Sequence, residues 1–233
     1  MPKIPDLARA GRRRAKLDGM GSSGAPMGAT SGQGRQAGGT PRAALADLLA
    51  GNRRFVSGQP VHGHDVTAAA AASGDQQPYA VVLGCIDSRV PLEAIFDQTF
   101  GAICVIRTGG HVLDRAVCGS IEYVVGQLGV PLVMVLGHER CGAVQATVEA
   151  LRTGQRPGGS LAHLVDEIAP AVTEAGLDDP AVQPLAIRRH VRRTVRTLRE
   201  DYLLAGPVAA GRVAVVGGLY DLATGEVALL DPG

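Results

Sequence analysis

Two short clusters in this chain of 233 residues carry side chains whose types and spacing allow joint chemistry: Cys85-Ile86-Asp87-Ser88-Arg89 and Gly137-His138-Glu139-Arg140-Cys141-Gly142. Cys85 and Cys141 offer soft thiolates, His138 an imidazole, and Asp87 a carboxylate two residues from a thiolate, which is a zinc donor set. A Cys/His/Cys trio leaves the fourth tetrahedral position open, the feature that separates catalytic from structural zinc. Two thiolates would cancel the metal's charge and make its water less acidic than three neutral histidines would, so hydroxide needs help. Asp87 and Arg89 are two residues apart and fall on one side of an extended segment. Arg89 is expected to hold the carboxylate bidentately and keep it ionised. Asp87 then accepts a hydrogen bond from zinc-bound hydroxide and aims its lone pair at a small electrophile. If the pair breaks, Asp87 can itself occupy zinc, a switch driven by pH.

These residues need elements that bring them to one place. Each cluster follows an apolar run of strand type, Tyr79 to Leu83 and Pro131 to Leu136, continuous as in buried parallel strands. The pattern around them alternates. Pro91 to Gln98 reads as a short helix, Ile103 to Ile106 as a strand, and Arg115 to Leu128 as a helix with Ile121, Val124, Val125 and Leu128 on one face. Cys141 to Leu151 starts a helix at once, where the dipole and unpaired amides favour a thiolate. Gly137 and Gly142 are expected to let the backbone bend tightly around the metal. Two helices follow, near 160–175 and 181–204. The second carries Arg188, Arg189, Arg192, Arg193, Arg196 and Arg199 opposite an apolar face of Ile187, Val191, Val195 and Leu198. Those arginines read as a face that pairs with acidic groups of another subunit. Arg212 to Leu219 is a last strong strand, turning into a hairpin with Val227 to Leu230. The fold class is therefore α/β, a mostly parallel central sheet flanked by helices, with an added C-terminal strand and an extended N-terminal helix. In such sheets ligands bind beyond the carboxyl ends of the strands where the connection order reverses.

The helix at the N-terminal side opens at Thr40-Pro41, with Thr as N-cap and Pro at the first helical position. Ala44, Leu45, Leu48, Leu49 and Phe55 recur at helical spacing, and Gly51 is expected to interrupt or end the helix. Residues 58–78 are polar, and His62 and His64 there read as exposed loop histidines rather than ligands. Residues 1–39 are Gly-, Arg-, Ser- and Ala-rich without apolar period, so they read as a disordered basic leader ahead of a single zinc-binding domain over 40–233. Residues 1–42 hold eight Lys/Arg against two Asp/Glu, and the rest fifteen against twenty, within a formal charge of +1. An acidic body with a basic tail does not read as a nucleic-acid binder. No apolar run approaches the ~20 residues of a membrane span, and no secretory signal core follows Arg12-Arg13-Arg14. Four cysteines make no disulfide framework in a chain this long, which points to a reducing, cytoplasmic compartment. Cys104 and Cys118 lack ligand-type neighbours and are assigned to apolar packing.

Taken singly, a cysteine after a strand is ordinarily core, Asp-Ser-Arg is ordinarily helix capping, and His138 a satisfied loop histidine. Both clusters behind strands in one domain favour the metal reading. Over roughly residues 40–220 the chain resembles the β-class carbonic anhydrases. The resemblance rests on Cys85-x-Asp87-Ser88-Arg89, Asp97, Arg107-x-Gly109-Gly110, Ser120-Ile121-Glu122-Tyr123 and Gly137-His138-x-x-Cys141-Gly142. It implies one Zn2+ per chain on Cys85, His138 and Cys141, with Asp87 and Arg89 as a gating dyad and Asp87 an alternative ligand. It also implies substrate contacts from Gln76, Gly109, Gly110, Tyr123 and Gly142. The implied reaction is reversible hydration of CO2 to bicarbonate and a proton by a homodimer or higher homo-oligomer, with the pocket at the subunit interface.

Some positions depart from the family's pattern. Thr108 and His111 stand where Asn is common around the small pair. Cys104 replaces a bulky pocket residue, which implies a roomier wall. Val82 stands where a bicarbonate effector site would need Trp, so no effector site of that form is expected. Glu139-Arg140 brings charge to the pocket rim or faces solvent. Two other functions compete. Carbon disulfide or carbonyl sulfide hydrolysis could run on the same scaffold, and a non-enzymatic zinc protein could engage a partner through its basic tail. An Asp-Arg dyad argues against the last, since a structural metal needs none.

Overall fold

A computed structural model describes residues 39–231 of the chain; the leader reading over 1–39 falls, except for Gly39, outside the described residues. The first helix, α1 (Pro41–Val56), starts as its sequence demands, with the Thr40 hydroxyl accepting from the Ala43 amide and proline in the first turn. Gly51 does not end it. The helix runs through, and a Cβ at Gly51 would lie 1.7 Å from the Phe96 carbonyl oxygen, so glycine is there to let two backbones meet. A short α2 (Val66–Ala71), capped by the Asp65 carboxylate, occupies part of the segment read as polar loop. His64 in that segment is held rather than loose, with Nε2 3.0 Å from the Gln98 carbonyl and its ring edge-on to Phe100.

Strand β1 (Ala80–Cys85) leads through α3 (Leu92–Ile95) to β2 (Ile103–Thr108). A 3-10 turn at Gly109–His111 enters α4 (Arg115–Leu128), followed by β3 (Leu132–His138) and α5 (Gly142–Thr153). The chain closes with α6 (Leu161–Ala175), α7 (Val182–Arg199), α8 (Ala205–Ala209), β4 (Ala214–Tyr220) and β5 (Val227–Leu230). The strand order is β2-β1-β3-β4-β5, with β5 antiparallel to β4 and the other pairs parallel. The α/β class, the mostly parallel sheet and the added C-terminal strand are thus as the periodicity indicated. No described helix is long and apolar enough to cross a membrane.

Alternation along the central strands builds a core on each face. Val81, Leu83, Val133, Val135 and Val215 pack with Val117, Ile121 and Val124 of α4 and Val191, Val195 and Leu198 of α7. Val82, Leu132, Met134 and Leu136 point the other way, against Ala44 and Leu48 of α1 and Leu92 and Ile95 of α3. The strand order places β2 on one side of β1 and β3 on the other, so the connection direction reverses between β1 and β3. That is the doubly wound arrangement in which the carboxyl ends of two central strands open into a crevice.

Candidate metal centre

Both clusters lie at that crevice. Leu83 pairs with Val135, so running two residues further along each strand brings the end of β1, Cys85, level with Gly137, one residue before His138. Cys141 then serves as the N-terminal flanking residue of α5. The ligand atoms of Cys85, His138 and Cys141 all lie within 4.8 Å of one another, and all three residues are buried. The tight turn from His138 to Cys141 is made at Arg140, which takes a left-handed φ of 51°. Gly137, expected to supply that bend, serves another purpose: a Cβ there would lie 2.6 Å from Val191 Cγ2, so it admits α7 against β3. Gly142 faces open space, since a Cβ there would meet no heavy atom within 4 Å.

The donor chemistry fits a metal. His138 Nδ1 lies 2.9 Å from the Glu139 carbonyl, which only accepts, so the proton sits on Nδ1 and Nε2 presents a lone pair. That Nε2 is buried and has no hydrogen-bond partner among the described residues. The Cys141 thiol donating to Cys85 outweighs burial and lowers the Cys85 pKa; the same contact, with burial, pushes Cys141 up. Two sulfurs close enough to share a proton are close enough to share a cation in its place. The Gly110 amide also donates to Cys85 Sγ, at 3.3 Å.

Asp87 and Arg89 meet as a two-toothed fork, Nε to Oδ1 at 2.9 Å and Nη2 to Oδ2 at 2.7 Å, with the Arg89 amide adding a third bond to Oδ1 at 3.0 Å. Arg89's hydrogen bonds hold the Asp87 carboxyl well below the usual carboxylate range. Asp87 Oδ2 lies 4.0 Å from His138 Nε2, beside the ligand trio. Arg107, which the sequence offers only as part of a motif, braces this segment: Nε donates to the Cys85 carbonyl at 2.8 Å and Nη2 to the Asp87 carbonyl at 2.6 Å. A charged residue inside an otherwise apolar strand, Ile103 to Thr108, was the signal available for it.

Not every expected pocket residue gathers here. Gly109 and Gly110 sit in the turn after β2, close to Cys85. Gln76 is exposed and precedes the opposite end of β1, which over nine residues puts it on the order of 20 Å or more from Cys85 within one chain. Tyr123 lies on α4 with 54% of its surface exposed. Glu139 and Arg140 line a small groove of about 230 Å3 with Gln183 and Arg188 of α7. Cys104 and Cys118 are half-buried thiols whose pKa values burial raises, and neither joins the trio. Several of the α7 arginines have partners within the chain: Arg193 with Glu174, and Arg199 with the Val215 carbonyl.

Comparison with known proteins bears on this geometry directly. The family model described as carbonic anhydrase matches residues 80–227, which contain both clusters. The chain belongs to the β-class carbonic anhydrases. Its curated relatives include carbonic anhydrase 2 of Mycobacterium tuberculosis, 44% identical over 193 residues that span 82% of this chain and 93% of that protein. Carbonic anhydrase of Mycolicibacterium smegmatis is 45% identical over 197 residues, 81% of this chain and 93% of the relative. Among solved structures, a tetrameric β-carbonic anhydrase of Sordaria macrospora superposes with a TM-score of 0.63 at 21% identity, covering 82% of this chain and 96% of the other. The Coccomyxa β-carbonic anhydrase, solved with acetazolamide, gives 0.62 at 24% identity, covering 80% and 86%. These two likenesses establish the shared fold. The family is one of zinc-dependent enzymes that hydrate carbon dioxide, and Cys85, His138 and Cys141 are residues able to bind the metal.

Proposed function

We propose that this β-class carbonic anhydrase interconverts CO2 and bicarbonate with one zinc ion per chain, held by Cys85, His138 and Cys141, and with Asp87 and Arg89 as its orienting dyad. The observation that carries this reading is the Arg89–Asp87 fork set 4.0 Å from a buried, unpartnered His138 Nε2. Zinc at the trio supplies Lewis acidity toward water. Arg89 keeps Asp87 ionised and turned, and uses one lone pair of Oδ2. A carboxylate oxygen has two, so Oδ2 retains a lone pair on the oxygen nearest the trio. That lone pair accepts a hydrogen bond from the reacting water and fixes the direction of its attack. Arg107 keeps the Cys85–Asp87 backbone from shifting, so ligand and dyad stay in register.

Gly142, where a Cβ would meet no heavy atom within 4 Å, leaves room for a small linear substrate, while Gly109 and Gly110 let the turn beside Cys85 pack against Leu164 and Ile168. Gln76 and Tyr123, both exposed in their own chain, serve the pocket of a neighbouring subunit in a homodimer or larger assembly. Four free cysteines support a reducing, cytoplasmic setting. The test is stopped-flow CO2 hydration alongside zinc content. Wild type is expected to hold one zinc per chain and turn over rapidly, while Asp87→Ala and Arg89→Ala keep zinc and lose rate. A zinc-loaded wild type with no rate above buffer would leave a non-enzymatic zinc protein. Sulfide release from carbon disulfide or carbonyl sulfide faster than CO2 hydration would move the assignment to that hydrolysis.

A further inference from the structure

One side of the trio is backed by two adjacent residues of α7. Val191 fills the space that glycine leaves at Gly137, directly before His138. His190, one residue earlier and buried, places Nε2 2.9 Å from the Gly110 carbonyl, 80 residues away in sequence. The Gly110 amide, on the other side of the same residue, donates to Cys85 Sγ at 3.3 Å. Gly110 has a φ of 63°, and a Cβ there would lie 2.9 Å from Ile168 Cδ1, so the turn is left-handed and tightly enclosed. Its neighbour His111 is also left-handed, with a φ of 49°. A non-glycine residue in that region persists only where surrounding contacts over-determine it. Those contacts include the His190 ring, whose centroid is 4.5 Å from that of His111 with the planes tilted by 32°.

We propose that His190 is a positioning residue: by holding the Gly110 carbonyl it aims the Gly110 amide at the Cys85 sulfur and so sets how much charge that thiolate gives the metal. The proposal rests on the reading above that Cys85 ligates zinc. An N–H aimed at a thiolate stabilises the anion and withdraws density from sulfur. Two thiolates weaken zinc as a Lewis acid, and this amide recovers part of what they remove. Burial pushes the His190 pKa down to about 4, so the ring is neutral and carries one N–H. A carbonyl only accepts, which fixes that proton on Nε2.

The tests use zinc and cobalt(II) on the full chain. In His190→Phe, which keeps a ring and loses the donor, zinc affinity measured by chelator competition is expected to fall roughly tenfold. The sulfur-to-cobalt charge-transfer band should move to longer wavelength as sulfur becomes richer in electrons. His190→Gln, which can still donate to the Gly110 carbonyl, should restore both. A folded His190→Phe protein with unchanged affinity and band overturns the proposal. Should that variant not fold, two-bond nitrogen–proton spectra of wild type decide: an Nε2–H tautomer at His190 sustains the proposal and an Nδ1–H tautomer overturns it. Failure of the underlying reading has a different signature, since wild type would then take up no cobalt at all.

Discussion

Asp87–Arg89 and Asp97–Arg54 are built from the same two groups and differ in what each carboxylate leaves free. The first pair joins residues two apart in sequence, and its side chains are 15% and 49% exposed. The second joins residues 43 apart, with a carboxylate 1% exposed. Asp97 accepts from Arg54 and from the Val61 and His62 amides, while Arg54 also reaches the Asp97 carbonyl. Every direction in which that carboxylate can accept is spoken for, and it ties α1 and the segment after it to the end of α3. Asp87 keeps a lone pair on Oδ2, the oxygen near His138. A fully satisfied ion pair holds a fold together. One that leaves an acceptor over, beside ligand atoms, is equipped to handle a proton.

That contrast breaks most visibly on rates. Asp87→Asn should lower the CO2 hydration rate by about 100-fold or more, the usual scale for losing a positioned proton acceptor. Its melting temperature should move by no more than about 2 °C, because the Arg89 half of the pair is exposed and the attraction is screened by water. A variant that melts early while keeping its rate per folded molecule would place Asp87 in the structural class instead. Arg54→Ala should do the reverse. It leaves a buried carboxylate short of its cation, costing about 3 kcal/mol, or roughly 6–12 °C in melting temperature for a chain of this size. Hydration per folded molecule should stay close to wild type.

Gly51→Ala probes the same end of the molecule without touching charge. The new methyl would meet the Phe96 carbonyl oxygen, one residue before Asp97, at a distance no contact tolerates. Backbone, not a pliable side chain, lies opposite, so α1 must shift. A loss of about 2 kcal/mol is expected, as for other overpacked contacts, read by urea denaturation. A neutral result would mean that α1 and the Asp97 corner are not rigidly docked.

Acid sharpens the contrast further. Burial raises the Asp97 carboxyl, but the hydrogen bonds from Arg54, Val61 and His62 outweigh it and leave the folded pKa below the ordinary value. A depressed carboxylate contributes stability above its unfolded pKa of about 3.9 and loses it as pH falls through the folded value. The stability gap between wild type and Asp97→Asn should therefore be full at neutral pH and shrink only below about pH 4. A gap that is unchanged at pH 3 would show that packing, not ionisation, gives Asp97 its role.

The two pairs also mark where the sequence was legible. Asp87 and Arg89 could be read because their partnership is local: two residues apart on an extended segment, behind a strand, with a cysteine and a second cluster of ligand types. The β-α alternation likewise placed Cys85 and His138 at neighbouring strand ends. Arg54 and Asp97 could not be paired, because nothing local to a helix surface says which residue 43 positions away will face it. Gly51 and Gly137 were misread for the same reason. Each looks like a bend in its own segment, and its purpose lies in the Phe96 carbonyl or the Val191 side chain pressed against it. His190 sits among arginines on a helix whose apolar stripe is Ile187, Val191, Val195 and Leu198. One turn on from Ile187 it belongs to the buried side, but its bond to Gly110 is a tertiary fact.

The smallest effect belongs to a third pair, Arg156 with Asp166. It is a two-toothed fork like that of Asp87 and Arg89, with Arg156 Nε 3.0 Å from Asp166 Oδ1 and a second bond from Nη2 to Oδ2. Its side chains are 61% and 49% exposed. Water already solvates both charges in the unfolded chain, so folding gains little from their meeting, and fixing two long side chains costs rotamer freedom. Arg156→Ala is expected to leave both melting temperature and hydration rate at wild-type values. If it melted like Arg54→Ala, contact between a guanidinium and a carboxylate alone would govern what an ion pair contributes, and the burial of Asp97 could no longer explain the cost of losing Arg54. A silent Arg156→Ala beside a destabilised Arg54→Ala would assign the difference to the surroundings of the carboxylate, since Arg156 makes two bonds to its carboxylate and Arg54 only one.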